Sequence, residues 1–333
     1  MSSYPTSSSA SGIWQLGDIP LFIQDGAWPN YVIYSAGMVY VMGGTTPATT
    51  NVISTYAIET QGTNVDFGDL TYARTVAGAV GNTTRGINGS GRNAPADFNA
   101  IDFITYATRG NATDFGDSTN NRRNLRGVCN SSTRGTFGGG YLSGTGWQNI
   151  IDFVTIATAG NATDFGDLTT NRADCFGLSN STRGVVGSGN TAPAGELVNV
   201  IDFITIASTG NATDFGDTTQ ANVTAAGFSS STRGIYGGGY ISPGASFTNV
   251  IGFITIASAG NATDFGDLIT AASGVGGDSN STKGTFHGGN TGAAINSISQ
   301  ITIATTGNAI DFGDLTYNVN DSSSISNTNG GTQ

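Results

Sequence analysis

Asn249-Val-Ile-Gly-Phe-Ile-Thr-Ile-Ala-Ser-Ala-Gly-Asn-Ala-Thr-Asp-Phe-Gly-Asp-Leu268 is the stretch that decides the fold. Its first nine residues are rich in β-branched and aromatic side chains, the composition of a buried strand. Gly260-Asn261 suits positive φ and predicts a tight two-residue hairpin, with Thr263 to Leu268 as the returning strand. Upstream, Ala225-Ala-Gly-Phe-Ser-Ser-Ser231 reads as a short strand of small residues. Thr232-Arg-Gly-Ile-Tyr-Gly-Gly-Gly239 reads as a second strand that ends in glycines. The unit therefore holds four strands.

The unit recurs. Asp-Phe-Gly-Asp begins at Asp66, Asp114, Asp164, Asp214, Asp264 and Asp311, at intervals of 48, 50, 50, 50 and 47 residues. Periods of this length belong to propellers and solenoids, and four antiparallel strands per period make one propeller blade. A parallel β-helix has shorter coils and does not rely on hairpins. The expected fold is all-β: a β-propeller of six four-stranded blades over residues 31–316, with an N-terminal arm (1–30) and a polar C-terminal tail (317–333). Leu16-Gly17-Asp18-Ile19 mimics a fourth strand one period before Gly68, and Asp321-Ser-Ser-Ser-Ile-Ser-Asn327 aligns with a first strand. Each terminus thus holds a possible closing strand: the two either patch the six-bladed ring or, as the alternative, make a seventh, composite blade.

Composition agrees with strands and tight turns. Among 333 residues there are 51 Gly but only two Glu and one Lys, which leaves little to build helices from. A net charge of −11 argues against nucleic acid as a partner, because phosphate binding needs clustered Lys and Arg. No apolar run approaches a membrane span, so no membrane insertion is expected. Met1-Ser-Ser-Tyr-Pro-Thr-Ser-Ser-Ser-Ala10 has neither a positive start nor an apolar core, so no export signal is expected. Cys129 and Cys175 sit at different phases of their repeats and read as buried free thiols.

No catalytic site, cofactor or metal is expected. Asp-Phe-Gly marks the magnesium loop of protein kinases, but here it occurs six times without the lysine strand or the His-Arg-Asp loop that chemistry requires. Its aspartates are expected to bond turn amides or to pair with Arg85, Arg134, Arg183, Arg233 and Lys283, which recur about 19 residues later. Calcium is the rival reading, but Asn-Ala-Thr-Asp-Phe-Gly-Asp places apolar residues where a calcium loop alternates oxygens. The triple glycines 138–140 and 237–239 lack the Lys-Ser/Thr of a phosphate loop. His287 is the only histidine, too few for a copper or zinc site of the usual kind or for a supported serine triad. Sequons at Asn111, Asn161, Asn211 and Asn261 are explained by turn geometry.

Val39-Tyr-Val-Met-Gly-Gly44 resembles the glycine-pair strand of kelch repeats, and Arg74, Arg122 and Arg172 sit where kelch repeats place an arginine after the fourth strand. Phe of Asp-Phe-Gly replaces the usual kelch tryptophan. Kelch-like galactose oxidase needs two His and a Tyr–Cys crosslink, which are not matched here. More narrowly, Asn-Val-Ile-Asp-Phe-Ile-Thr-Ile-Ala-Ser-Thr-Gly-Asn-Ala-Thr-Asp-Phe-Gly-Asp (199–217), Ser-Thr-Arg-Gly-Ile-Tyr-Gly-Gly-Gly (231–239) and the Gly12-Ile13-Trp14 to Trp28-Pro29 lead-in resemble kelch-like structural proteins of marine tailed phages, especially cyanophages. The resemblance implies a non-enzymatic virion protein on the tail or capsid. Its implied partners are other virion proteins and a host-surface glycan or protein. A free carbohydrate-binding lectin is the alternative.

Strand alternation puts two sets of connections at opposite ends of the blades. Ser-Thr-Arg-Gly and Gly-Asn-Ala-Thr barely change between repeats, whereas the second-to-third-strand loops change every time. Variable loops on one face of a repeat scaffold are the usual place for recognition. Phe98, Tyr141, Trp147, Tyr240 and Phe247 are the candidate binding residues there, with plain blade packing as the competing role. Trp14, Leu16, Phe22 and Trp28 of the N-terminal segment are the candidate virion anchors.

Overall fold

A computed structural model of the chain describes residues 37–61, 64–192, 196–242 and 246–328. The chain divides into two compact units, Met1–Ser35 and Ala36–Gln333, and every described residue belongs to the second. The anchor candidates Trp14, Leu16, Phe22 and Trp28 lie outside the described residues. Among the described residues the secondary structure is strand, with no α-helix.

Six four-stranded antiparallel sheets carry the fold. Sheet 5 is typical, with Ala226–Ser229, Arg233–Gly237, Val250–Thr255 and Thr263–Asp267 paired in that order. Sheets 2, 3, 4 and 6 repeat it, beginning at Gly78–Gly81, Arg126–Asn130, Phe176–Ser179 and Gly276–Ser279. Sheet 1 is composite. Its first strand is Ser323–Ser326, from the far end of the chain, paired with Met38–Met42 and followed by Val52–Ala57 and Val65–Asp69. The sheet 6 closing strand, Ile310–Val319, runs past residue 316.

Each sheet is too thin to bury its own apolar faces, so the cores lie between neighbours. Val80, Ile87 and Ile101 of sheet 2 pack with Phe137, Val154 and Ile156 of sheet 3. Val39, Val41 and Tyr56 of sheet 1 pack likewise with Ile298, Phe312 and Leu315 of sheet 6. The Asp-Phe-Gly rings of all six repeats are buried while the first aspartate of each is exposed. Each such ring contributes roughly 1.5–3 kcal/mol of burial.

The Gly-Asn pairs do something other than turn a hairpin. In sheet 5 residues 256–262 connect the third and fourth strands, so the two-residue turn expected at Gly260-Asn261 is not formed. Gly260 N instead donates to Phe215 O (2.7 Å), Ala262 N donates to Asp217 O (2.7 Å), and Asn261 Oδ1 accepts from Asp217 N (3.0 Å). The connection thus covers the open edge of the preceding sheet, which would otherwise leave backbone groups unpaired. That close approach sets the Asp-Phe-Gly glycine. Gly216 has φ +144°, and a Cβ there would stand 2.6 Å from the Gly260 carbonyl carbon. Gly is the residue that tolerates both conditions.

Just before each first strand stands one residue in the left-handed region: Val76, Asn124, Asp174, Thr224, Gly274 and Asp321. Their backbones form a closed circuit. Val76 N donates to Asp321 O, Asp321 N to Gly274 O, Gly274 N to Thr224 O, Thr224 N to Asp174 O, Asp174 N to Asn124 O, and Asn124 N to Val76 O. All six bonds measure 2.9–3.1 Å. The circuit returns to its start only because the chain's last strand sits in its first sheet.

Candidate binding face

The six loops between second and third strands are not irregular. Those of sheets 1 to 5 fold into small two-stranded ribbons, such as Tyr141–Leu142 with Gly146–Trp147, and Tyr240–Ile241 with Ser246–Phe247. Each of the six loops is tied to the segment that leads into its own sheet, as Arg122↔Leu142, Asn222↔Ile241 and Thr45↔Asn320 illustrate. The sequence-variable loops and the variable entering segments therefore share one end of the sheets. At the other end, Asn or Ser side chains hold repeated turns, as Asn180 Oδ1 accepts from Thr182 N and Arg183 N.

The candidate aromatics sit in pairs. Tyr141 meets Trp147 edge-on at 5.3 Å, and Tyr240 meets Phe247 at 5.9 Å. Phe98 stacks on Tyr72, centroids 5.5 Å apart and planes 19° apart, and Tyr72 is 53 % exposed. Phe98, Tyr141, Trp147, Tyr240 and Phe247 are all half-buried, held partly by their own ribbons and partly open to solvent. Trp147 Nε1 donates to Asn190 Oδ1 of the next loop (3.0 Å).

Residue spacing did not single out Tyr72, Arg92, Asp97, Arg123 and Asn190. Asp97 faces two arginines: Arg123 Nη1 donates to its Oδ2 at 2.6 Å, and Arg92 Nε lies 3.7 Å from its Oδ1. Arg123 also lies over the Tyr141 ring at 4.4 Å. The available signal was that Arg92 and Arg123 fall outside the repeated arginine positions. Spacing alone does not bring the two loops together.

The recurring cations do not pair as expected. Arg85, Arg183 and Arg233 donate to main-chain carbonyls just past the third strand of the next sheet (Ile156, Ile256 and Ile303) and lie 4.7–4.8 Å over Phe103, Phe203 and Phe253. Arg134 likewise donates to Ile206 O and lies over Phe153, while Lys283 pairs with Glu59. The first aspartates of the motif point to solvent, where an ion pair contributes little and directs nothing. The arginines that follow the fourth strands do find carboxylates. Arg74, Arg122 and Arg172 are fully buried and pair with Asp102, Asp152 and Asp202.

First strands from all six sheets line one cavity of ≈ 70 Å³. Its wall is mostly Gly, Ala and Ser, with Arg126 and Asp278 as its charged residues. Burial pushes the Asp278 carboxyl up to about 7. His287 is buried, its Nδ1 3.0 Å from the Tyr56 hydroxyl, and burial pushes its pKa down to about 3. It occupies a glycine position of sister sheets because Gly276 opposite leaves it room, a Cβ there falling 2.2 Å from Nε2. Cys175 is a buried free thiol with its pKa pushed up to about 11, and the Cys129 side chain lies outside the described residues. Among the described residues no three His, Cys, Asp or Glu side chains are grouped to hold a metal ion.

Compared with known proteins, the chain matches no family model, and no curated protein matches it in sequence.

Proposed function

We propose that the described residues form a six-bladed kelch-like β-propeller serving as a non-enzymatic binding scaffold on a tailed-phage particle. The observation that carries the scaffold reading is the segregation of variation. One end of the sheets repeats the same turns, and the other presents loops that differ in every sheet, with paired aromatics at sheets 2, 3 and 5. The closed backbone circuit and the C-terminal strand in sheet 1 support six blades over a seventh composite one. The phage assignment rests on the repeat motifs. In this reading the constant end docks to neighbouring virion proteins, and the loop end meets a host-surface glycan or protein.

Electron microscopy of the purified chain tests the ring, with six lobes expected and seven overturning the count. Mass spectrometry of purified particles tests the assignment: a stoichiometric copy number is expected, and absence from particles turns the reading to a free lectin. Replacing Tyr240 and Phe247 together with Ala should leave the melting temperature within a few degrees. Attachment to cells or to the neighbouring virion protein should weaken at least fivefold. A double variant that unfolds while binding per folded molecule is unchanged would reduce this pair to blade packing.

A further inference from the structure

Of twelve cationic side chains, most are already engaged. Three are buried against aspartates, four hold carbonyls of the next sheet, Lys283 meets Glu59, and Arg126 lines the cavity between the first strands. Arg109 pairs with Asp66 at the constant end. The remaining two, Arg92 and Arg123, meet on the loop end over a single carboxylate, that of Asp97. Two guanidinium charges against one carboxylate leave a local excess of one positive charge on a chain whose net charge is −11.

Aromatic rings flank that excess charge on both sides. On one side is the Tyr72–Phe98 stack, with Phe98 next in sequence to Asp97. On the other is Tyr141, which carries Arg123 on its face and meets Trp147, itself tethered to Asn190. The arrangement is held in place before any ligand arrives, which lowers the ordering cost of binding. Arg92 Nε and Asp97 Oδ1 are both buried and make no hydrogen bond among the described residues, so any ligand is met by the partly exposed guanidinium ends of Arg92 and Arg123. Flat aromatic faces pack against the C–H faces of pyranose rings, and a guanidinium takes a carboxylate in a planar, two-bonded geometry.

We infer that the Arg92–Asp97–Arg123 cluster, between Tyr72 and Trp147, binds a carboxylate-bearing saccharide. The sugar carboxylate sits on the shared arginines, which the buried Asp97 carboxylate holds in place, and the adjoining rings of the chain lie along Tyr72 and Tyr141. This rests on reading the loop end as the recognition face and adds the class of ligand. The Tyr240–Phe247 pair of sheet 5 is not part of it.

Calorimetric titration of the full chain with a galacturonic acid trimer, the neutral galactose trimer and acetate tests it. The acidic trimer should bind at least tenfold more tightly than the neutral one, and acetate should not compete at the same concentration. Arg123→Gln should weaken the acidic trimer at least tenfold. Because that change also leaves Asp97 without its close partner, Tyr72→Ala is the second variant: its ring is exposed, its melting temperature should hold, and its affinity should fall about fivefold. Equal binding of both trimers, or unchanged affinity in the Tyr72 variant, overturns the inference. Competition by acetate at equal concentration reduces the site to one for any small anion and overturns it too. No trimer binding, with cell or particle attachment still lost on replacing Tyr240 and Phe247, removes this ligand and leaves the recognition face standing.

Discussion

Sheets 2, 3 and 4 bury a charge pair each, whereas sheets 5, 6 and 1 bury none at the same place. The equivalent positions are fixed by backbone bonding: Arg74, Arg122, Arg172, Asn222, Ala272 and Val319 all offer their carbonyl to a glycine amide of the preceding sheet's loop. Their counterparts in the third strands are Asp102, Asp152, Asp202, Gly252, Ser299 and Ser54, each opposite the first aspartate of its motif. Where the cation is lost, the anion is lost with it. A buried charge is costly unless paired and hydrogen-bonded, so neither partner persists alone.

The neutral sheets refill the space in different ways. In sheet 4, Asp202 accepts from Thr169 N (3.0 Å) and Thr169 Oγ1 (2.7 Å) as well as from Arg172. In sheet 5 the Tyr236 hydroxyl takes the Thr219 amide (3.0 Å) instead, and its ring fills the space that a side chain at Gly252 would need. In sheet 1 a Tyr317–Ser54 hydroxyl pair (2.8 Å) stands there. Sheet 6 has the small residues Ala272 and Ser299, and a cavity lies between them. Burial pulls the Arg74 and Arg122 pKa values down, and the facing aspartate carboxylates oppose that pull.

The largest expected effect breaks a pair. Arg172→Met leaves Asp202 buried without its cation and should cost about 3–5 kcal/mol in denaturant unfolding. Adding Asp202→Val should recover at least half of that, since a neutral filling of the same site is tolerated next door. If the double variant is as unstable as the single one, charge burial is not what links the two positions.

A smaller effect comes from the neutral side. Asp278 of sheet 6 is buried with no ion-pair partner among the described residues, and burial raises its pKa from the usual carboxylate value to about 7. The folded form therefore holds this proton more tightly than the unfolded chain does. The associated stability is present below the unfolded value near 4 and is lost as pH rises toward 7. Between pH 5 and pH 8 the loss should be roughly 2–3 kcal/mol. Asp174 and Asp321, also raised by burial, add in the same direction. His287 acts oppositely: its lowered value removes stability as pH falls from about 6.5 toward 3. Melting temperatures at several pH values should show Asp278→Asn flattening the alkaline side of the profile. An unchanged slope in that variant would assign the loss to other groups.

The smallest effect sharpens the contrast. Asn222 of sheet 5 stands at the arginine position and donates from Nδ2 to Gly238 O (3.0 Å). Asn222→Ala should cost about 1 kcal/mol, the worth of one neutral hydrogen bond. A cost equal to that of Arg172→Met would mean the position matters for its shape and not for its charge.

The six-fold repeat of strand units and their all-β character are legible in the chain because strand periodicity, glycine and Asp-Phe-Gly spacing are local properties. The loop aromatics were legible as residues that differ between otherwise equal units. The Gly-Asn pairs were misread for a physical reason. A Gly-Asn dipeptide suits a tight turn, and only the neighbouring sheet's open edge, with Phe215 O and Asp217 N waiting to be paired, draws it outward instead. The recurring arginines are matched by spacing to the motif aspartates about 19 residues earlier, while their partners are carbonyls some 70 residues away, as with Arg233 and Ile303.

The sequence by itself determined where each strand begins and which faces are apolar, because side-chain alternation and backbone preference act over a few residues. It also carried the paired loss of Arg and Asp across the repeats. Tertiary structure alone decided that Ser323–Ser326 completes sheet 1, that six left-handed residues close a backbone circuit, and that Arg92 and Arg123 converge on Asp97. Those outcomes depend on how neighbouring sheets pack and twist against one another, and that is set by the summed contacts of the whole ordered repeat, which no single unit contains.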